Sequence, residues 1–170
     1  MNNKKIESIA YRINEILSIL VTDWKNDENI CDSPERIAKS LIEMTKGYEP
    51  NTFKATSFKA EKYNQIISVK NITYYSLCAH HMLPFFGKVN IGVIPNEKIL
   101  GLSKYARIVK VFSQRLQIQE RLTDQIADFI QDILKPKAVA VHITGTHLCM
   151  SMRGIESQNA ITETSALRGL

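Results

Sequence analysis

Ser76-Leu77-Cys78-Ala79-His80-His81-Met82-Leu83-Pro84-Phe85 is the stretch around which the chain is organised. Upstream of it, from Gln65, the apolar period is two: Ile67 and Val69, then Ile72 and Tyr74, with an offset near Asn71 that suggests a bulge. Downstream, Val89, Ile91 and Val93 alternate again before the turn residues Pro95-Asn96, while Pro84 is expected to stop regular pairing. The stretch therefore joins two strands, and it carries a thiol and two imidazoles at that joint.

A second cluster, His147-Leu148-Cys149-Met150-Ser151-Met152-Arg153, lies far downstream. The chain has only 4 His and 3 Cys, and most of them fall in these two short stretches. Cys78 and His81, with two residues between them at a strand end, can converge on one ion, and Cys149 would complete a Cys2His zinc shell with a fourth position open to water. His80 and His147 then stand near the metal without binding it, as acid–base candidates. A four-ligand structural zinc, or cysteines that only pack, fit the same residues.

The remaining elements frame these clusters. Residues 4–24 carry Ile6, Ile9, Ile13, Ile16, Leu17 and Leu20 at helical spacing. Ser33-Pro34 predicts a second helix, capped by Ser33 and ended near Gly47. Residues 48–64 read as irregular. Ser103 is a plausible cap for a helix carrying Tyr105, Val109, Phe112 and Leu116, and Thr123 for another carrying Ile126, Ile130 and Ile133. Val139, Val141 and Ile143 alternate as a third strand, Gly145 is expected to turn the chain, and His147, Cys149 and Ser151 to share one face of a fourth. The tail, 155–170, reads as polar and ordered only by packing. Two strands, two helices and two strands after N-terminal helices make an α+β pattern, with an N-terminal helical region over 1–50 and a second region over 51–170. Its antiparallel sheet of four strands has two edges that need cover.

Charge and composition narrow the function. Net charge is +5, but the basic residues are scattered, which fits a small phosphorylated substrate better than nucleic acid. Ser103, Lys104 and Arg107 at a helix start, with Arg153 beyond the second cysteine, suit phosphate. Gln119-Glu120 interrupts two apolar helices, and a carboxylate there could accept two N–H bonds from a guanine edge. No apolar run reaches the ~18 residues a membrane span needs, and the N-terminus lacks the apolar region of a signal peptide. Three cysteines, one of them the isolated Cys31, argue for a reducing, cytoplasmic setting rather than a disulfide framework.

Together the two clusters, Gly101-Leu102-Ser103-Lys104-Tyr105-Ala106-Arg107, Arg115-Leu116-Gln117-Ile118-Gln119-Glu120-Arg121-Leu122-Thr123 and the ending Thr164-Ser165-Ala166-Leu167-Arg168-Gly169 resemble the GTP cyclohydrolase I family, in order and spacing from about Ser33 onward. The resemblance implies a tunnelling fold: a four-stranded antiparallel sheet with two helices packed on it, whose sheets join across subunits into barrels. It also implies a homodecamer of two pentamers with active sites at subunit interfaces. The implied reaction is zinc-dependent hydrolysis of GTP to 7,8-dihydroneopterin triphosphate and formate, the entry to tetrahydrofolate-type pterins. Carried over by position, Cys78, His81 and Cys149 hold Zn2+; His80 and His147 move protons; Glu120 and Gln119 read guanine; Ser103, Lys104, Arg107 and Arg153 hold the triphosphate. One position departs from the family pattern: Ala79 stands where Glu is usual. That leaves two alternatives, a divergent enzyme giving another purine-derived product and a weakly catalytic, zinc-stabilised oligomer that binds nucleotide or pterin.

Overall fold

The alternation before and after the central stretch becomes two long antiparallel strands. In the computed structural model, which describes residues 3–50 and 53–169, the elements run α1 (Asn3–Leu20), α2 (Ser33–Met44), β1 (Ser57–Lys59), β2 (Ile67–Cys78), β3 (Pro84–Ile94), β4 (Lys98–Leu100), α3 (Leu102–Ser113), β5 (Leu116–Gln117), α4 (Gln119–Leu134), β6 (Ala138–His147), α5 (Leu148–Ser151) and β7 (Thr162–Gly169). By contacts the chain divides into Met1–Lys46 and Gly47–Leu170. The border expected at 50/51 touches residues 51 and 52, outside the described set.

The first unit is a helical pair. Ile6 of α1 packs on Ala38 and Ile42 of α2, with Ile9 and Ala10 alongside. Its second helix starts one residue earlier than expected: Asp32, not Ser33, occupies the cap position, and Pro34 lies in the first turn. Cys31 is exposed.

The second unit is a five-stranded sheet in the order β5-β2-β3-β6-β7, beside a small β1-β4 pair whose first strand lies within the stretch expected to be irregular. Four strands are antiparallel, and only the two-residue β5 runs parallel, against Leu77 and Cys78. Val89, Ile91, Val93, Val139, Val141 and Ile143 are buried with Ile108, Leu122, Ile126 and Ile130 of the two helices, which makes one core between sheet and helices. The bulge near Asn71 is present: pairing slips between Val69 and Ile72, and Asn71 takes φ 60°, which Asn tolerates better than most residues.

Several expected details are overturned. Pro84 begins β3 rather than stopping it, as a first strand position needs no N–H from proline. Ser103 lies inside α3, whose cap is Gly101. Thr123 lies inside α4, which already starts at Gln119. Gly145 does not turn the chain: it pairs with Gly87 and Thr162 within β6. Two glycines face each other there because the space is taken. A Cβ on Gly145 would run into Gln119 Oε1 and Tyr74 Oη, and one on Gly87 into the Thr144 carbonyl. The stretch after His147 is one helical turn, not a strand, and the true fourth antiparallel strand is the tail itself. In β7, Thr164, Ala166 and Arg168 turn inward and Glu163, Ser165 and Leu167 stay exposed, so polarity hides a regular alternation. Arg168 fastens β7 to α4 through Asp124 at 2.7 Å and Asp128 at 2.6 Å.

Candidate functional site

Cys78 closes β2 and is 5% exposed. A tight loop follows: the Met82 N–H donates to the Cys78 carbonyl and the Cys78 N–H to the Leu83 carbonyl, both at 2.8 Å, with Met82 at φ 55°. The loop raises His80 and His81 beside the sulfur, each Nδ1 at 3.8 Å from Cys78 Sγ. From the other side, the helical turn after β6 delivers Cys149. The donor atoms of Cys78, His81 and Cys149 all lie within 4.8 Å of one another, and no fourth Cys, His, Asp or Glu joins the group among the described residues. The i, i+2 strand geometry expected to aim Cys149 is absent; a helical turn does it, with Ser151 Oγ donating to the His147 carbonyl at 3.3 Å.

Two thiols and an imidazole suit a borderline-soft divalent ion, whose ligands must shed their protons. Burial pushes the Cys149 thiol up, and the neighbouring Cys78 pushes it further, while Arg153 opposes. Crowding by the second sulfur disfavours the Cys149 thiolate, and a bound cation reverses that preference. The donor set therefore fits a metal.

His147 ends β6 directly opposite Phe85, and the two rings stack at 4.6 Å between centroids and 6° between planes. Its Nε2 meets Gln119 Oε1 at 2.9 Å. Burial lowers the His147 pKa, and Glu120 nearby partly restores it. Glu120 stands exposed in the first turn of α4. Gln119, expected to share Glu120's role on guanine, is 1% exposed, and its amide is spent on protein groups. Phe85 ends the Ser76–Phe85 stretch, yet nothing in its spacing marks it as His147's partner.

The phosphate candidates divide. Arg153 follows the second cysteine closely enough to act on its thiol. Ser103, Lys104 and Arg107 sit in the first turns of α3, where Lys104 Nζ reaches the Lys54 carbonyl at 3.4 Å. The other end of α3 leads into β5, which pairs with Cys78. At 1.5 Å per residue, α3 spans roughly 18 Å. Within one chain Ser103 and Lys104 therefore lie at the end of the helix away from β5, and Arg107 about midway along it.

Comparison with known proteins agrees with these elements. A family profile described as GTP cyclohydrolase I matches residues 9–170. A GTP cyclohydrolase 1 of Wolinella succinogenes is 45% identical over 172 residues, all of this chain and 91% of the relative. Those of Chlorobaculum tepidum and Bacteroides thetaiotaomicron are 54% and 45% identical over 84% and 96% of this chain. The chain spans 64% of the Chlorobaculum protein's length and 84% of the Bacteroides protein's. Among solved structures, an archaeosine synthase QueF-Like in the apo form superposes with TM-score 0.51 at 17% identity, over 61% of this chain and 93% of that one. That likeness concerns the fold, which is the α+β tunnelling fold expected from the sequence.

Proposed function

The chain belongs to the GTP cyclohydrolase I family, and from that premise we propose that it hydrolyses GTP to 7,8-dihydroneopterin triphosphate and formate with zinc held by Cys78, His81 and Cys149. One observation carries the reading: the end of β2 with the loop after it, and a helical turn distant in sequence, bring two thiols and an imidazole within 4.8 Å, beside two further histidines that need not bind metal. Zinc there would lower the pKa of a water molecule and so supply a nucleophile at neutral pH for C8 of the purine.

The residues of the chain account for the rest. His80, exposed beside Cys78, and His147, held on Phe85, give and take protons as the imidazole ring opens and formate leaves. The exposed Glu120 carboxylate accepts the guanine N–H groups, and Gln119 supports His147 instead of touching the base. Arg153 holds phosphate on the metal side. Ser103, Lys104 and Arg107 bind the triphosphate of a neighbouring subunit's site, since Ser103 and Lys104 stand at the end of α3 away from β5 and its pairing with Cys78. This division requires assembly. The outer side of β2 before Leu77 and the outer side of β7 have no strand partner among the described residues, and pairing such edges between copies closes sheets into the family's barrel and homodecamer. The free thiols suit a cytoplasmic protein.

Ala79 keeps one alternative in view. It supplies no carboxylate beside the histidine pair, so a divergent purine-derived product is the second reading. Zinc-loaded protein incubated with GTP distinguishes them: formate together with pterin fluorescence supports the proposal, formate without pterin supports the second reading, and neither overturns both.

A further inference from the structure

Gln119 is fixed in one orientation by its surroundings. Its Nε2 lies 3.2 Å from the Ile143 carbonyl, 3.0 Å from the Thr162 carbonyl and 3.2 Å from Thr164 Oγ1. Two of these are backbone oxygens that can only accept, so the amide group facing them must be the NH2. A flipped amide would set its own oxygen against two carbonyl oxygens in a site 1% exposed, where no water could relieve the clash. The hydroxyls agree. Thr123 Oγ1 donates to the Gln119 carbonyl at 2.7 Å, so across the 2.7 Å contact with Thr164 the proton comes from Thr164. That leaves a lone pair on Thr164 Oγ1 for the amide.

The Gln119 oxygen therefore faces His147 Nε2 at 2.9 Å, and an amide oxygen can only accept. We propose that Gln119 is a positioning residue that selects the tautomer of His147, keeping the proton on Nε2 and leaving Nδ1 as the ring's only basic nitrogen. The Phe85 ring, stacked at 6°, holds the plane of the imidazole in which Nε2, and not the Cε1 that a ring flip would bring there, faces the Gln119 oxygen. The nitrogen bonded to a fixed partner determines which one is free to act, and here the partner is an amide anchored on α4, β6 and β7 at once. The inference rests on the reading above only for the use His147 makes of Nδ1; the tautomer itself follows from the hydrogen bonds.

The test is magic-angle-spinning NMR of sedimented, zinc-loaded full-length protein with 15N-labelled histidine, at about pH 8 where imidazoles are neutral. His147→Gln identifies its signals by subtraction among the 4 histidines. The expected result is a pyrrole-type nitrogen at Nε2 and a pyridine-type nitrogen at Nδ1. A proton on Nδ1, or an even mixture, overturns the proposal using the unsubstituted protein alone. Gln119→Met should then yield mixed tautomers and a kcat lower by roughly tenfold to a hundredfold at little-changed KM. If Gln119→Met folds and keeps the single Nε2–H tautomer, Gln119 does not select it and the proposal fails. Because the spectrum is independent of turnover, inactivity toward GTP would sink the functional reading and leave this one standing.

Discussion

The Phe85 ring lies flat on the His147 imidazole, 4.6 Å between centroids, at the last register pair of β3 and β6. Phe85 is fully buried and also meets Tyr74 edge-on at 5.8 Å. Phe85→Leu keeps an apolar filler but loses both ring contacts. It should cost about 1–2 kcal/mol of stability and lower kcat more than it raises KM, since the imidazole gains freedom. Thermal unfolding beside steady-state formate release checks this; unchanged kcat would mean that the stack does not hold His147 for catalysis.

Gly145 should tolerate nothing larger. A Cβ there meets the Gln119 oxygen and the Tyr74 hydroxyl, which has no hydrogen-bond partner among the described residues and cannot easily move. Gly145→Ala should destabilise the protein by about 1–3 kcal/mol and reduce turnover by displacing Gln119 from His147. Denaturant unfolding and kcat together test it, and a fully stable, fully active variant would contradict the packing.

What the sequence revealed and concealed follows from where the information is stored. Alternation in Ile67–Val69 and Val89–Val93 is written in side chains that the sheet buries partly in the first strand and fully in the second, so both strands and the Asn71 bulge were legible. β7 was not: its inward positions are Thr, Ala and Arg, held by hydrogen bonds and the Asp124–Asp128 pair rather than by bulk. The grouping of Cys78, His81 and Cys149 could be read because Cys and His are scarce. Gln119 was misleading, since it adjoins Glu120 in sequence while α4 turns one side chain into the core and the other to solvent. Gly145 looked like a turn for lack of any local sign that Gln119 and Tyr74 needed its space.

Cys149 should prove essential for metal. Cys149→Ser removes one of three donors and should weaken zinc binding more than about a hundredfold. Equilibrium dialysis with zinc quantitation gives the number; near-normal affinity would exclude Cys149 as a ligand.

Metal uptake should release protons. The raised Cys149 thiol is protonated in the metal-free protein at neutral pH, so zinc must displace that proton, and affinity should climb as pH rises toward the thiol range. The linkage runs the other way without metal. A thiol whose folded pKa is raised contributes stability below its unfolded value and loses it as pH rises through the folded one, so the metal-free protein should weaken at alkaline pH. Calorimetry in buffers of different ionisation enthalpy should show roughly one to two protons released per zinc; none released would mean that no thiol binds.

The most direct measurement is formate released from GTP as zinc is added back stepwise to metal-free protein. Release rising in proportion to bound zinc and levelling at one ion per chain is the predicted result. Full zinc occupancy without formate, or release indifferent to zinc, would contradict the account.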